Sequence, residues 1–363
     1  MAYTNIDDPS AFFQTALYTG DGSTSLAITN DGNSDLKPDW VWFKRRDSGA
    51  NHNLFDSSRG ATKMLYSDLT NAEYTNAQSL KTFNTDGFTL GNYGTVNAGS
   101  GTFVAWQWKV NGGTTTSLSS NINSVCQVNQ DAGISIVTYS CTGGGNGQAV
   151  QHGLGLVPQV IITKNRTDTS YSDWITYHHS IGYTNFLKLN TNVAQAGSSP
   201  YNGGAPTNLT YNVSIDLVET KDYVSYVFAP IQGYSKFGSY IGNGSGTSDG
   251  TFDGPFVYTG FKPAWLMIKR SSYSAGDGWT MYDNARPPRA GSTTYSNYID
   301  NKIGADSTAA AQGAVYDAVD FLSNGFKIRT GRAGTNASGS TYIYMAFAEN
   351  PFVTSTGTPT TAR

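Results

Sequence analysis

The chain has 363 residues, enough for two or three cores of ordinary size. Charged residues make up 13% of it, about half the usual share, while Gly (41) and Tyr (23) are abundant, so the surface is wetted by hydroxyls and amides rather than by charge. The formal net charge of −3 excludes the broad basic field of a general nucleic-acid binder, and no run approaches the ~18 apolar residues of a membrane span.

The start, Met1-Ala2-Tyr3-Thr4-Asn5-Ile6-Asp7-Asp8-Pro9, has neither the basic head nor the apolar stretch of a signal peptide. The expectation is a chain made in the cytoplasm that stays there or leaves as part of a particle. The first clear element is Pro38-Asp39-Trp40-Val41-Trp42-Phe43-Lys44. Its four consecutive apolar residues do not alternate, which predicts a strand covered on both faces. Phe83 to Leu90 reads as a hairpin with Asp86-Gly87 at the turn, and Phe103-Val104-Ala105-Trp106 as a further strand. Asn111 to Gly133 is polar and reads as a spacer.

Ile134 to Tyr139 opens a second set of strands, followed by Pro158-Gln159-Val160-Ile161-Ile162-Thr163-Lys164, by Thr210 to Ile215, and by Tyr223-Val224-Ser225-Tyr226. A third set contains Pro255 to Tyr258, Pro263-Ala264-Trp265-Leu266-Met267-Ile268-Lys269, a hairpin Phe321 to Ile328 around Asn324-Gly325, and Tyr342-Ile343-Tyr344-Met345. The Asp-Gly and Asn-Gly pairs, Asp253-Gly254 among them, are expected to supply positive φ. Ser307 to Val319 is alanine-rich and predicts a turn or two of helix, interrupted at Gly313. Asn350 to Arg363 reads as an extended arm with no means of burying itself, either loose or laid on a neighbour.

From each proline to the last landmark residue is 68 residues, 68 residues and 82 residues. Such spacing marks a tandem array of one module. The expected fold is all-β: three pseudo-repeat antiparallel β-sandwiches. They span residues 1–113, 133–232 and 233–350, with a linker at 114–132 and an arm at 351–363. Because the proline-led strands are apolar on both faces, Trp42, Ile162 and Met267 are expected in intermodule or intersubunit packing. Most of the seven tryptophans recur at equivalent positions as apolar residues, which assigns them to cores.

Comparison between copies replaces an alignment. Asp56 and Arg59 stand where Asp283 and Arg286 stand in the third copy, while the second has His178 and Ile181. A pair present twice together and lost once together is read as a structural turn pair. His178 and His179 are adjacent on a strand and point to opposite faces, so they cannot grip one metal ion together. His52 and His152 have no neighbours at ligand spacing. Gly246-Thr247-Ser248-Asp249-Gly250 matches a nucleophile elbow only in its letters, since no helix follows. Cys126 and Cys141 lie 15 apart, so a bridge between them is geometrically possible, but without a secretion signal they read as two reduced thiols. No catalytic residue, metal site or cofactor is expected. The Gly/Asp/Asn loops, with Asp249 and Asp253, are the ligand-binding candidates.

Several stretches carry a resemblance: Ile6-Asp7-Asp8-Pro9-Ser10, Gly233 to Tyr240, Tyr258 to Trp265, Tyr342 to Glu349, and Asn350-Pro351-Phe352-Val353-Thr354-Ser355-Thr356-Gly357. Over essentially its whole length the chain resembles repeat-containing virion proteins of tailed phages of marine cyanobacteria and other pelagic bacteria, usually labelled tail fibre and lectin-like. The resemblance implies a jelly-roll, concanavalin- or laminin-G-like β-sandwich in each module and a non-enzymatic tail fibre or receptor-binding protein located in the virion. The partners it implies are other virion proteins and a host surface glycan, without nucleic acid or membrane insertion, in a homo-oligomer with a trimer favoured. A capsid decoration protein and a glycan-degrading depolymerase are the alternative readings.

Overall fold

The computed structural model describes residues 2–360 except 142, 144, 170–171, 215–216, 218–219, 247–251, 274–277, 287–297 and 314–317. The protein is all-β, built from antiparallel sheets. Its helical pieces among the described residues are single turns, such as Gly94–Asn97 and Ala333–Asn336.

Three large sheets share one strand order. In the first, Phe13–Thr19, Thr102–Trp108, Trp40–Arg45 and Asn53–Asp56 lie side by side. The second repeats this order with Ile134–Ser140, Asp222–Phe228, Val160–Asn165 and Ile175–His178. The third does so with Ser235–Ile241, Thr341–Pro351, Phe261–Arg270 and Thr280–Asp283. We refer to these as the opening, closing, proline-led and return strands of the first, second and third segments. The two landmarks in each segment are ladder neighbours: Trp42 faces Trp106, Ile162 faces Tyr226 and Met267 faces Met345. Their equal spacing in sequence is therefore a register constraint, and the loops between them absorb the extra length of the third copy.

Smaller sheets lie over one face of each large one. Leu26–Ile28, Phe88–Leu90 and Leu80–Phe83 serve the first segment, and Gln148–Gln151 with Thr210–Val213 the second. Phe256–Tyr258, Gly325–Ile328, Val319–Leu322 and Tyr298–Ile299 serve the third. Strand alternation divides the proline-led strands of the first two segments between two cores, whereas Leu266 and Ile268 of the third join the same cluster as Trp265 and Met267. Val41 and Phe43 pack with Phe88 and Leu90, and Ile161 with Val150, Tyr211 and Val213. Trp40, Trp42, Val160, Ile162, Trp265 and Met267 point the other way, into a single cluster shared by all three segments. Ring contacts tie each pair of segments together: Trp40 on Tyr226 at 4.4 Å, Trp108 on Trp265 at 5.7 Å and Phe228 on Phe347 at 5.9 Å. All seven tryptophans are buried.

Several elements differ from expectation. The spacer at 114–132 carries two strands, Thr116–Leu118 and Ser124–Asn129, that extend the second sheet beyond its opening strand. Its Ser, Val and Gln residues find a ladder in the exposed edge of Ile134–Ser140. The arm is not extended either: Val353 bridges Pro359, and Ser355 donates its N–H (2.6 Å) and hydroxyl (2.5 Å) to the Asp7 carboxylate. The described part of the alanine-rich stretch is not helical, because Gln312–Gly313 pairs with Asn301–Gly304. Of the three turn glycines, Gly87 alone has positive φ (92°). Gly325 and Gly254 instead allow close backbone approach, since a Cβ would lie 2.2 Å from Val257 O and 2.6 Å from Ile328 O.

Truncating a large ring in the shared core costs about 3–5 kcal/mol. Trp42→Ala is expected to lower the unfolding free energy by that amount in urea titration. An exposed position would move it by less than about 0.5 kcal/mol.

Candidate functional site

The chemistry-bearing residues singled out in the sequence converge on the seams between segments. Each proline-led strand ends in a buried lysine that bonds carbonyls in its own and in a neighbouring segment. Lys44 Nζ donates to Ala50 O (2.6 Å) and to Thr308 O of the third segment (2.9 Å). Lys164 Nζ donates to Ser172 O (2.6 Å) and to Thr70 O of the first (3.1 Å). Lys269 Nζ donates to Arg270 O (2.8 Å) and to Asn192 O of the second (3.2 Å). First holds third, second holds first and third holds second, so the contacts close a ring. Burial lowers the Lys44 ammonium to about 8 and that of Lys164 to about 7.

Two further sets of bonds repeat this cycle. Backbone N–H groups of Ala311, Glu73 and Gln195 donate to the carbonyls of Arg46, Arg166 and Ser271, each at 2.9 Å. Four residues before the return-strand aspartate position, ring nitrogens cross the same seams. His52 Nε2 meets Gly304 O (2.8 Å), Trp174 Nε1 donates to Tyr66 O (2.6 Å), and Trp279 Nε1 donates to Lys188 O (2.9 Å).

The Asp/Arg turns lie on these seams. Asp56 accepts from Arg59 N (2.8 Å) and Nε (2.5 Å), and Asp283 from Arg286 N (2.9 Å) and Nε (2.7 Å), with all four side chains buried. Each carboxylate also accepts from the last landmark of another segment: Tyr226 Oη on Asp56 at 2.7 Å and Trp106 Nε1 on Asp283 at 2.9 Å. The third such landmark is Met345, which has no proton to donate. An aspartate opposite it would be buried and short of a partner. His178 stands there instead, and its Nε2 meets Tyr344 O at 3.2 Å. The pair is thus lost where its third partner is lost. Glu73, which repeat comparison could not flag because Gln195 and Ala311 replace it, joins Arg59 and Arg166 across the first–second seam at 2.9 Å each.

The ligand-loop candidates are held by protein groups. Asp253 is exposed and pairs with Lys327 Nζ at 2.5 Å, and Asn243 Nδ2 donates to its carbonyl at 2.9 Å. Asp249, like most of the elbow-like pentapeptide, lies outside the described residues. Buried Asn97 and Asn336 organise the neighbouring loops. Each accepts from a loop N–H (Asp21 and Asn243, both 2.9 Å) and returns bonds through its own amide. Among the described residues no three His, Cys, Asp or Glu side chains gather at metal-ligand spacing. Cys126 and Cys141 are free and buried.

The second–third seam opens into a cleft of about 540 Å³ lined by Asn190, Thr191, Trp279, Lys302, Asp306 and Gln312, among others. Asp306 Oδ1 accepts from Trp279 N (3.0 Å), and burial raises its carboxyl above the usual range. Amide, hydroxyl, ammonium and carboxyl groups on one wall suit a small ligand rich in hydroxyls.

Residues 8–351 match the profile of a domain of unknown function, DUF7483. The chain belongs to that family. The DUF7483 match takes in all three segments as one domain, consistent with a unit that is the closed ring rather than the single sheet. No curated protein and no solved structure matches the chain.

The seam histidines give the ring a pH dependence. Burial pushes His52 and His178 down to about 3, and His152, inside the second segment, to about 4. His178 Nδ1 accepts from Ser180 N (3.2 Å), so a second proton has no place there. Folded values below the unfolded ~6.5 mean that the unfolded chain binds protons first. The stability from each neutral ring is complete above pH 6.5 and is lost as pH falls toward 3–4. By pH 5 the loss is about 2 kcal/mol per histidine. Asp68, raised to about 6 by burial, returns part of it in the same window. Urea unfolding between pH 6.5 and 5 is expected to show a fall in stability that His178→Gln flattens by about 2 kcal/mol. An unchanged slope would show that His178 takes up its proton in the folded chain.

Proposed function

We propose that this chain is a non-enzymatic structural protein of a tailed-phage particle, carried on the tail as a fibre or tail-associated receptor-binding protein. Its three segments are read as copies of one β-sandwich module of jelly-roll type, fused into a single body. The observation that carries the reading is the cyclic seam. Three lysines and three ring N–H groups donate across the seams in one rotational sense, three backbone N–H groups donate back across the same seams, and both cycles end where they began. The buried polar groups of the repeats are spent on assembly, and the variable parts are loops and clefts at the surface.

Two further features support a surface role. The chain is rich in Gly, Ser, Thr and Asn, and Tyr74, Tyr183, Tyr258 and Tyr273 are exposed, so hydroxylated ligands can be met through hydrogen bonds and ring faces. The cleft of about 540 Å³ at the second–third seam suits a host-surface sugar. The resemblance to virion proteins over nearly the whole chain supplies the particle.

Negative-stain imaging of purified particles labelled with a gold-conjugated antibody to this chain tests the reading. Label at the distal tail is expected. Label spread over the head shell would reject the tail assignment in favour of capsid decoration. Particles without label would reject the virion reading.

A further inference from the structure

The three seams repeat most of their bonds, and beyond the turn residues they differ at the outer edge of the opening strand. Ladder geometry fixes which backbone groups face outward there. Gly20 N donates to Gly101 O, Cys141 N to Lys221 O and Gly242 N to Ser340 O, so these residues face the closing strands. Counting back by alternation, Thr15, Leu17 and Thr19 turn their N–H and C=O groups away from the first sheet. Ile136 and Phe237 are the counterparts of Thr15, each facing the last landmark of its own closing strand.

In the second segment this edge is covered by the chain itself. Ser124–Asn129 pairs along Ile134–Ser140, with Gln127 opposite Ile136. The Gln127 side chain is fully buried between the edge and the turn of the first segment. Its amide donates to Ser57 Oγ (2.8 Å) and Ser58 Oγ (2.9 Å), and its carbonyl accepts from Asn111 N (3.1 Å) and Gly113 N (2.9 Å). In the third segment the turn of the second reaches the edge directly, with His179 Nε2 on Phe237 O at 3.1 Å.

In the first segment neither solution is present. No backbone group of Thr15, Leu17 or Thr19 on the outer side has a partner among the described residues. Leu17 is exposed, and the Thr15 hydroxyl is buried without a hydrogen bond. Beside Thr15 lies a slot of about 240 Å³, lined by Phe13, Gly32, Asn284, Ala285 and Glu349 among others. Asn284 and Ala285 follow Asp283 as Ser57 and Ser58 follow Asp56. The slot is therefore the place that the Gln127 side chain fills one seam further on.

We propose that the outer edge of Phe13–Thr19 is a strand-addition site for a partner polypeptide. The partner contributes an extended segment of uncharged, β-branched and hydroxyl residues with a glutamine or asparagine at its centre. Its backbone completes the ladder on Thr15, Leu17 and Thr19. Its central amide enters the slot between Thr15 and Asn284, where it meets the unbonded Thr15 hydroxyl and the Asn284 carboxamide, whose Nδ2 donates to Glu349 Oε2 at 2.8 Å. Ser-Val-Cys-Gln-Val-Asn at 124–129 is the chain's own example of such a segment. An acidic residue at the centre is disfavoured by Glu349 on the slot wall.

The test uses the full chain and a fluorescent peptide of residues 122–131 carrying Cys126→Ser. Fluorescence anisotropy is expected to show saturable binding, and hydrogen exchange to show new protection at the amides of Thr15, Leu17 and Thr19. N-methylation at Gln127, which removes a ladder donor, is expected to weaken binding on the order of tenfold, whereas N-methylation at Val128 is not. Absence of saturable binding would overturn the proposal. So would equal affinity of the two N-methyl peptides, or protection at Ile134–Ser140, which would indicate exchange with the internal strand. Edge amides already protected in the free chain would also overturn it. If that protection grew with concentration alongside dimer in sedimentation, a second copy and not a partner would hold the edge.

Discussion

A buried ammonium that takes one of its acceptors from a neighbouring segment is the constraint on which this fold rests. Lys44, Lys164 and Lys269 sit at the ends of strands whose two faces are both covered, and water cannot solvate them. Each finds one carbonyl at home and one in another segment. Remove the neighbour and the lysine loses an acceptor while the apolar stripe at Trp40, Val160 or Trp265 loses its cover. Polar satisfaction and hydrophobic burial therefore demand the same partner surface, and the ring is the arrangement that meets both demands three times.

The same logic explains why the copies have diverged where they have. The seam around Asp56 needs a donor at position 226 and an arginine at 59, and it has both. The seam around His178 faces Met345, where an aspartate would be stranded, and a neutral imidazole on a backbone carbonyl replaces it. Substitutions are thus correlated across segments as well as within one. The cyclic direction of the bonds says which positions must change together. The outer edges of the opening strands obey no such pairing rule, and there the three copies have taken three different courses.

Much of this was legible in the sequence. The proline-led runs, their failure to alternate and the recurring second landmark announced an all-β chain with doubly covered strands. The return-strand aspartates were legible as structural residues because they recur with an arginine three positions later. The ring itself was not legible, since its bonds run from side chains to backbone carbonyls at Thr308, Thr70 and Asn192, and a carbonyl leaves no mark on residue type. Glu73 escaped because its counterparts, Gln195 and Ala311, share no chemistry with it. The strands at 116–118 and 124–129 looked like a spacer because an added edge strand needs little apolar content of its own. Gly325 and Gly254 looked like positive-φ turns, whereas the backbone beside them simply leaves no room for a Cβ.

The central claim is that three sheets form one cooperative body around a shared core. Hydrogen exchange under increasing urea, followed at once at the amides of Val41, Ile161 and Leu266, measures this directly, because each lies on the proline-led strand of a different segment. One common unfolding midpoint and one common urea dependence are predicted for all three. Three separate midpoints, or early loss of one strand while the other two stay protected, would contradict the account.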